Sequence, residues 1–283
     1  AEGCNHPCSF CIIPRMRGSH RSRTQSDIVA EAKALLADGV KELNLISQDS
    51  TYYGLDLRPN HNRAISSPEK FSAASKSLPA NATTICTLIR ELNALPGNFW
   101  IRLLYTHPAH WTDELIQTIA ECRKVARYVD IPLQHIHDNM LERMRRETSQ
   151  QYIVDLIKRI RAGVPGIAIR TTFIVGFPGE TEAAFGTLLD FMRETKFERL
   201  GVFTYSKEDG TRAGAFAASL KRRQPSDIRM LFQHDPAEPV GTWVDMREDH
   251  RGLHVTGRLD PNVQRGRELF SLLESRGLDG LSI

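Results

Sequence analysis

The chain has 283 residues, 41% of them hydrophobic, which is enough for one sizeable α/β domain plus a smaller appendage. A net charge of +3, from 37 basic and 34 acidic side chains, makes no case for a nucleic-acid or membrane partner, and no run of about eighteen apolar residues spans a bilayer. The opening Ala-Glu-Gly-Cys has neither a basic n-region nor an apolar h-region, which predicts a cytoplasmic, reducing compartment, and five cysteines with three clustered argue against a disulfide framework.

Residues 24 to 205 alternate helical and strand-like segments, the pattern of βα units around a parallel sheet. Ile28, Val29, Ala32, Leu35 and Leu36 recur at helical spacing and stop at Gly39, a C′ glycine. A strand is expected over residues 40–47, ended by Gln48, Asp49 and Ser50. Residues 55–83, rich in Ser, Ala, Asn and Pro without a period, read as a long surface loop. The next helix carries Ile85, Leu88, Ile89, Leu92 and Leu95 and closes at Pro96-Gly97, before a strand over 99–105. Strands follow at 128–133, 167–175 and 200–205, with helices through Met140, Leu141 and Met144, through Ile153, Leu156, Ile157 and Ile160, and through Leu188 to Met192. That gives five strands in a core spanning 1–213, then a linker over 214–229 and a distinct region, 230–283, in which 240–244 and 252–259 read as antiparallel strands.

Cys4, Cys8 and Cys11 supply three soft thiolates on one loop, and three ligands leave one metal position open. Zinc is the rival occupant, but a structural zinc wants four ligands, and His6, between Cys4 and Cys8, would strain a tetrahedral site. Phe10 reads as an aromatic cover or as core. Arg15, Arg17, His20, Arg21 and Arg23 crowd the segment after the cysteines, either to meet an anion or as a solvated loop. Cys86 and Cys122 sit at core-like helical positions and are assigned no chemistry.

The run Glu2-Gly-Cys-Asn-His-Pro-Cys-Ser-Phe-Cys-Ile-Ile-Pro-Arg-Met-Arg-Gly resembles the cluster loop of the methylthiotransferases of the radical S-adenosylmethionine (SAM) superfamily. Ile46-Ser-Gln-Asp-Ser, Tyr53-Gly, Ile101-Arg-Leu-Leu-Tyr-Thr-His-Pro, Asp130-Ile-Pro-Leu-Gln-His and Thr172-Phe-Ile-Val-Gly-Phe-Pro-Gly-Glu-Thr follow in that family's order, so the resemblance covers residues 2–212. It implies an incomplete radical SAM (β/α) barrel with a small β-rich C-terminal fragment. It also implies a four-iron four-sulfur cluster on Cys4, Cys8 and Cys11, SAM as cofactor, and an electron donor of the flavodoxin or ferredoxin type. Gln48-Asp49, Tyr105-Thr-His-Pro and Asp130-Ile-Pro-Leu-Gln-His look like the branch that modifies an aspartate of a small-subunit ribosomal protein. The alternative branch modifies tRNA adenosine, and only there is a nucleic acid the partner. In that family SAM cleavage yields a 5′-deoxyadenosyl radical that takes hydrogen from an unactivated carbon, here the aspartate β-carbon.

Carried over by motif, Gln48, Asp49, Gln134, His135, Arg170, Gly176 and Glu180 are the candidate SAM-pocket residues, since ligands collect at the carboxyl ends of parallel strands and glycines allow close backbone approach. The chain opens at the cysteine loop, so the family's preceding domain with its auxiliary cluster, and most of a first strand, are expected to be missing. The TRAM domain that follows the family's core is not recognisable. Instead, Leu231-Phe-Gln-His-Asp-Pro-Ala-Glu-Pro-Val-Gly, Gly252-Leu-His-Val-Thr-Gly-Arg-Leu and Gly277-Leu-Asp-Gly-Leu-Ser-Ile resemble a phage prohead serine protease. There His234 would be the base and Ser282 the nucleophile, but Ser282 is the penultimate residue of this sequence, so an inactive fragment is expected.

Overall fold

Apolar alternation along the expected strands produces one sheet. In the computed structural model, β1 (Glu42–Leu45), β2 (Trp100–Leu103), β3 (Val125–Asp130), β4 (Ala168–Val175) and β5 (Arg199–Thr204) are all parallel and lie in sequence order. The structure describes residues 1–57, 67–79, 81–221, 229–231, 239–249, 252–264, 267–268 and 271. Its chain divides into two units, Ala1–Gly214 and Ala215–Ile283.

The helices of the first unit are α1 (Ile13–Arg17), α2 (Gln25–Ala37), α3 (Pro68–Lys76), α4 (Ile85–Ala94), α5 (Asp113–Glu121), α6 (Asp138–Met144), α7 (Gln150–Gly163) and α8 (Glu182–Thr195), and α9 (Arg212–Lys221) runs across the boundary at Gly214. Thr24, Thr84, Thr112, Ser149 and Thr181 cap α2, α4, α5, α7 and α8, each accepting from a backbone N–H of the first turn. Each such cap contributes about 1 kcal/mol to its helix start.

Burial alternates along the sheet. In β2 and β4, Ile101, Leu103, Ile169, Thr171 and Phe173 are buried, whereas Trp100, Arg102, Arg170 and Thr172 are more exposed. Ile101, Leu103, Ile169 and Phe173 join Leu88, Ile89 and Leu92 of α4, Leu115 and Ile119 of α5, and Ile153, Leu156 and Ile160 of α7 in one core. Helices therefore cover one sheet face and the other carries the polar side chains, unlike a parallel sheet buried on both faces.

Two expectations are corrected, and one further helix is found. The segment read as a loop over 55–83 carries a 3-10 turn, Leu55–Leu57, and helix α3. Ser67 caps α3, Pro68 opens it, and its single buried aromatic, Phe71, packs with Tyr52 and Leu55; one anchor in nine residues leaves no apolar period to read. Residues 58–66 and 80 lie outside the described residues. Helix α5 is the further one, its buried Leu115, Ile116 and Ile119 following a Thr112 cap. The segment read as a linker from 214 begins inside α9.

In the second unit β6 (Arg229–Leu231), β7 (Pro239–Asp249) and β8 (Gly252–Leu259) form an antiparallel sheet in that order, with a register shift between Trp243 and Asp245. The two antiparallel strands read from the sequence fall within β7 and β8. Among the described residues no helix is long and apolar enough to cross a membrane.

Candidate functional site

The carboxyl ends of β1 to β4 and the cysteine loop converge through hydrogen bonds that tie the loop to the sheet. Gly3, with φ +71, places Cys4 where its N–H donates to the Gly18 carbonyl at 3.1 Å. The Ser9 N–H donates to the Met144 carbonyl at 3.0 Å and its hydroxyl to the Arg143 carbonyl at 2.7 Å, so the end of α6 holds the loop midway between Cys8 and Cys11. From the start of α9, the Ala213 N–H donates to the Ser9 carbonyl at 2.8 Å. Phe10 meets Phe177 edge-on at 6.5 Å and packs beside Met140 and Met144, so it is a core contact at the loop's edge.

All three loop cysteines are half-buried and free. The His6 N–H points at Cys4 Sγ at 3.5 Å, and the Arg146 guanidinium donates to Cys8 Sγ at 3.4 Å. Burial pushes the Cys4 thiol up to about 12, with Asp49, Cys8 and Cys11 further opposing its ionisation and the His6 N–H favouring it. Burial also raises the Cys11 thiol, against a backbone hydrogen bond from Ile13. A metal centre would offset the raised Cys4 and Cys11 thiols, since a coordinating thiol is deprotonated outright. His6 Nε2 is held by Asp49 Oδ2 at 2.8 Å, and among the described residues His6 lies at metal-ligand spacing from His107 and His110 rather than from the three cysteines. A soft three-sulfur donor set, sulfur-directed N–H groups and the absence of a fourth protein ligand among the described residues fit an iron–sulfur cluster with one open iron, and do not fit structural zinc.

Asp49 follows β1 and is buried. Its Oδ2 accepts from His6 Nε2 at 2.8 Å and His110 Nδ1 at 2.7 Å, while Oδ1 accepts from the Thr51 N–H at 3.0 Å and from the Thr51 hydroxyl. Burial opposes the Asp49 charge, but His110 and His6 overcome it and hold the carboxyl well below its usual range. Burial likewise lowers His6, to about 4, leaving a neutral ring that donates to an ionised carboxylate. His107 stacks on His6 at 3.7 Å and Phe71 stacks on His110 at 4.3 Å. The buried side chains thus brace the loop from behind Cys4.

The remaining candidates fall at the same end of the sheet. Gln48 is exposed beside Asp49. Gln134, at φ +73, extends the sheet past β3 by donating to the Thr172 carbonyl and accepting from the Ile174 N–H, both at 2.8 Å. His135 is fully buried, with Nε2 2.9 Å from Glu180 Oε1, and Glu180 in turn accepts from the Gly176 N–H. Arg170 reaches back to Asp130 at 3.1 Å from the polar face of β4. Gln48, Gln134, Arg170 and Gly176 keep solvent-accessible surface, whereas Asp49 and His135 are enclosed by their partners. Among the described residues, four of the five non-glycine residues with positive φ, Tyr105, Gln134, Arg145 and Glu147, lie in the segments around this end, the fifth being a helix cap at Lys196. Strain held in place by surrounding contacts is a mark of functional sites.

The geometry adds His107, His110, Thr51, Ser9 and Arg146, none of which the sequence reading selected. His107 lies inside a motif read for its resemblance, but His110 and Arg146 gave no signal, since a lone histidine before Trp111 and an Arg-Arg pair at a helix end look like ordinary surface. Cys86 and Cys122 are buried in the core, and burial raises the Cys86 thiol to about 11. His234 and Ser282 lie outside the described residues.

A family model described as the radical SAM superfamily matches residues 1–192. The chain belongs to the radical SAM superfamily. A second model, described as the caudovirus prohead serine protease, matches residues 194–283. Its first part includes β5, which pairs with β4 in the sheet of the first unit. The chain is 62% identical over 226 residues to a ribosomal protein uS12 methylthiotransferase RimO of Opitutus terrae, an alignment covering 79% of this chain and 45% of that protein. It is 44% identical over 281 residues to the same-named protein of Pelotomaculum thermopropionicum, covering 99% and 54%. The chain thus spans about half the length of the curated relatives it matches. Among solved structures, the radical SAM methyltransferase TsrM of Kitasatospora setae aligns with a TM-score of 0.50 and 18% identity, over 77% of this chain and 38% of that one, a likeness of fold.

Proposed function

We propose that this chain is the SAM-cleaving core of a methylthiotransferase acting on the small-subunit ribosomal protein uS12. The observation that carries the reading is the cysteine loop fixed at the carboxyl end of a parallel sheet, with the ordered strand-end motifs behind it. The 62% identity to a protein named for that activity supports the same branch over the tRNA-modifying one. Cys4, Cys8 and Cys11 would hold the cluster, which together with SAM supplies the one-electron chemistry that generates a hydrogen-abstracting radical.

The chain's own side chains then divide by exposure. Gln48, Gln134, Arg170 and the Gly176 backbone, accessible at the strand ends, contact SAM. Asp49 and His135 act by positioning, the first through His6 and the cysteine loop, the second through Glu180 and the Gly176 turn. The electron comes from a flavodoxin-type or ferredoxin-type donor in the cytoplasm. Residues 1–213 form this core and 230–283 are a separate prohead-protease-like fragment with no part in the chemistry.

A peptide of the uS12 loop, deuterated at the target aspartate β-carbon, tests the substrate. Reduced, cluster-loaded protein with SAM should move deuterium into 5′-deoxyadenosine. SAM cleavage that leaves deuterium on the peptide would reject the ribosomal-protein substrate.

A further inference from the structure

Arg146 is a charged side chain sealed at the back of the cysteine loop, 5% exposed. It follows α6 between Arg145 (φ 56) and Glu147 (φ 48), two left-handed residues that reverse the chain and turn the side chain inward. Such backbone is costly and persists only where surrounding contacts enforce it. Nη2 donates to the Pro132 carbonyl at 2.7 Å, Nη1 points at Cys8 Sγ at 3.4 Å, and Nε is buried without a partner.

These are its side-chain hydrogen bonds among the described residues, and no carboxylate there pairs with it. A buried guanidinium without a counter-charge is expensive, and arginine is almost never fully buried unpaired. The group able to become anionic that its side chain contacts is Cys8 of the cysteine loop. Three thiolates around an iron–sulfur cluster would supply that charge at the position Arg146 faces.

We propose that Arg146 is the buried counter-charge of the cluster loop, a positioning residue that makes the cluster easier to reduce. Reduction adds one electron to the cluster and therefore one unit of negative charge. A fixed positive charge and an N–H directed at a ligand sulfur both favour the reduced form, since cluster potentials follow net charge and hydrogen bonds to sulfur. Ser9 fixes the distance, because its bonds to the Arg143 and Met144 carbonyls join the loop to the helix end that carries Arg146. The inference rests on the cluster assignment to Cys4, Cys8 and Cys11.

The test is a potentiometric titration of the full 283-residue chain after anaerobic reconstitution, with dithionite as reductant, read by the electron paramagnetic resonance signal of the reduced cluster without SAM. Arg146→Met and Arg146→Gln should each lower the reduced-to-oxidised ratio at fixed potential about tenfold, a shift of about 59 mV for a one-electron couple. Arg146→Lys, which keeps the charge, should recover most of that shift. Neutral variants that fail to load iron while Arg146→Lys loads fully would also support the counter-charge. An unmoved midpoint in any loaded neutral variant, or failure of all three variants to load, would overturn it in favour of a purely architectural brace. A lowered affinity for SAM with an unmoved midpoint would likewise overturn it and assign the guanidinium to SAM. Wild-type chain that takes up no iron would instead reject the cluster assignment itself.

Discussion

Asp49 links the cysteine loop to the sheet through one carboxylate oxygen shared by His6 and His110. Asp49→Ala leaves two buried imidazole N–H groups without an acceptor, at about 1–3 kcal/mol for each unsatisfied group. The expected loss is about 3 kcal/mol, read as a lower urea midpoint with unchanged slope, together with a reduced iron complement after reconstitution. Asp49→Asn retains one acceptor oxygen and should lose about half as much. Gly3 makes a second residue-scale test, because a Cβ there would lie 2.1 Å from the Ser19 carbonyl oxygen at a φ of +71. Gly3→Ala should therefore displace Cys4 and lower iron uptake, while circular dichroism shows the sheet and helices retained.

At the scale of elements, legibility followed the kind of signal each segment carries. Helices α2, α4 and α7 were readable because several apolar residues repeat at helical spacing behind a Ser or Thr cap. Strands β2 and β4 were readable because one face alone is buried and the alternation survives. Helix α3 was not, since Phe71 alone anchors it, and its register is fixed by stacking against His110 from a distant segment. Phe71→Ala should cost about 3–5 kcal/mol if the void does not collapse. Thermal unfolding should register that loss, and because Phe71 covers His110, iron uptake should fall with it, whereas a comparable deletion in α4, Leu92→Ala, should lower stability with the iron complement retained. The three cysteines were legible together because they lie within eight residues of one another. The bracing set was not, because Asp49, His107, His110 and Arg146 meet His6 and Cys8 only once the strands align.

For the molecule as a whole, cysteine loop, strand ends and brace all fall within Ala1–Gly214, while the antiparallel sheet β6-β7-β8 falls in Ala215–Ile283. Deleting residues 226–283 keeps α9, whose Ala213 holds Ser9, and should leave iron content and SAM cleavage within twofold of the full chain. A deletion protein that reconstitutes to less than half the iron would show that the second unit supports the first. The account's central claim is that Cys4, Cys8 and Cys11 hold a cluster that cleaves SAM. Its most direct test is the yield of 5′-deoxyadenosine from SAM by the anaerobically reconstituted, dithionite-reduced chain. The account predicts the nucleoside from wild type and none from Cys8→Ala, and a fully iron-loaded wild type that forms none, or a Cys8→Ala variant that forms as much, would contradict it.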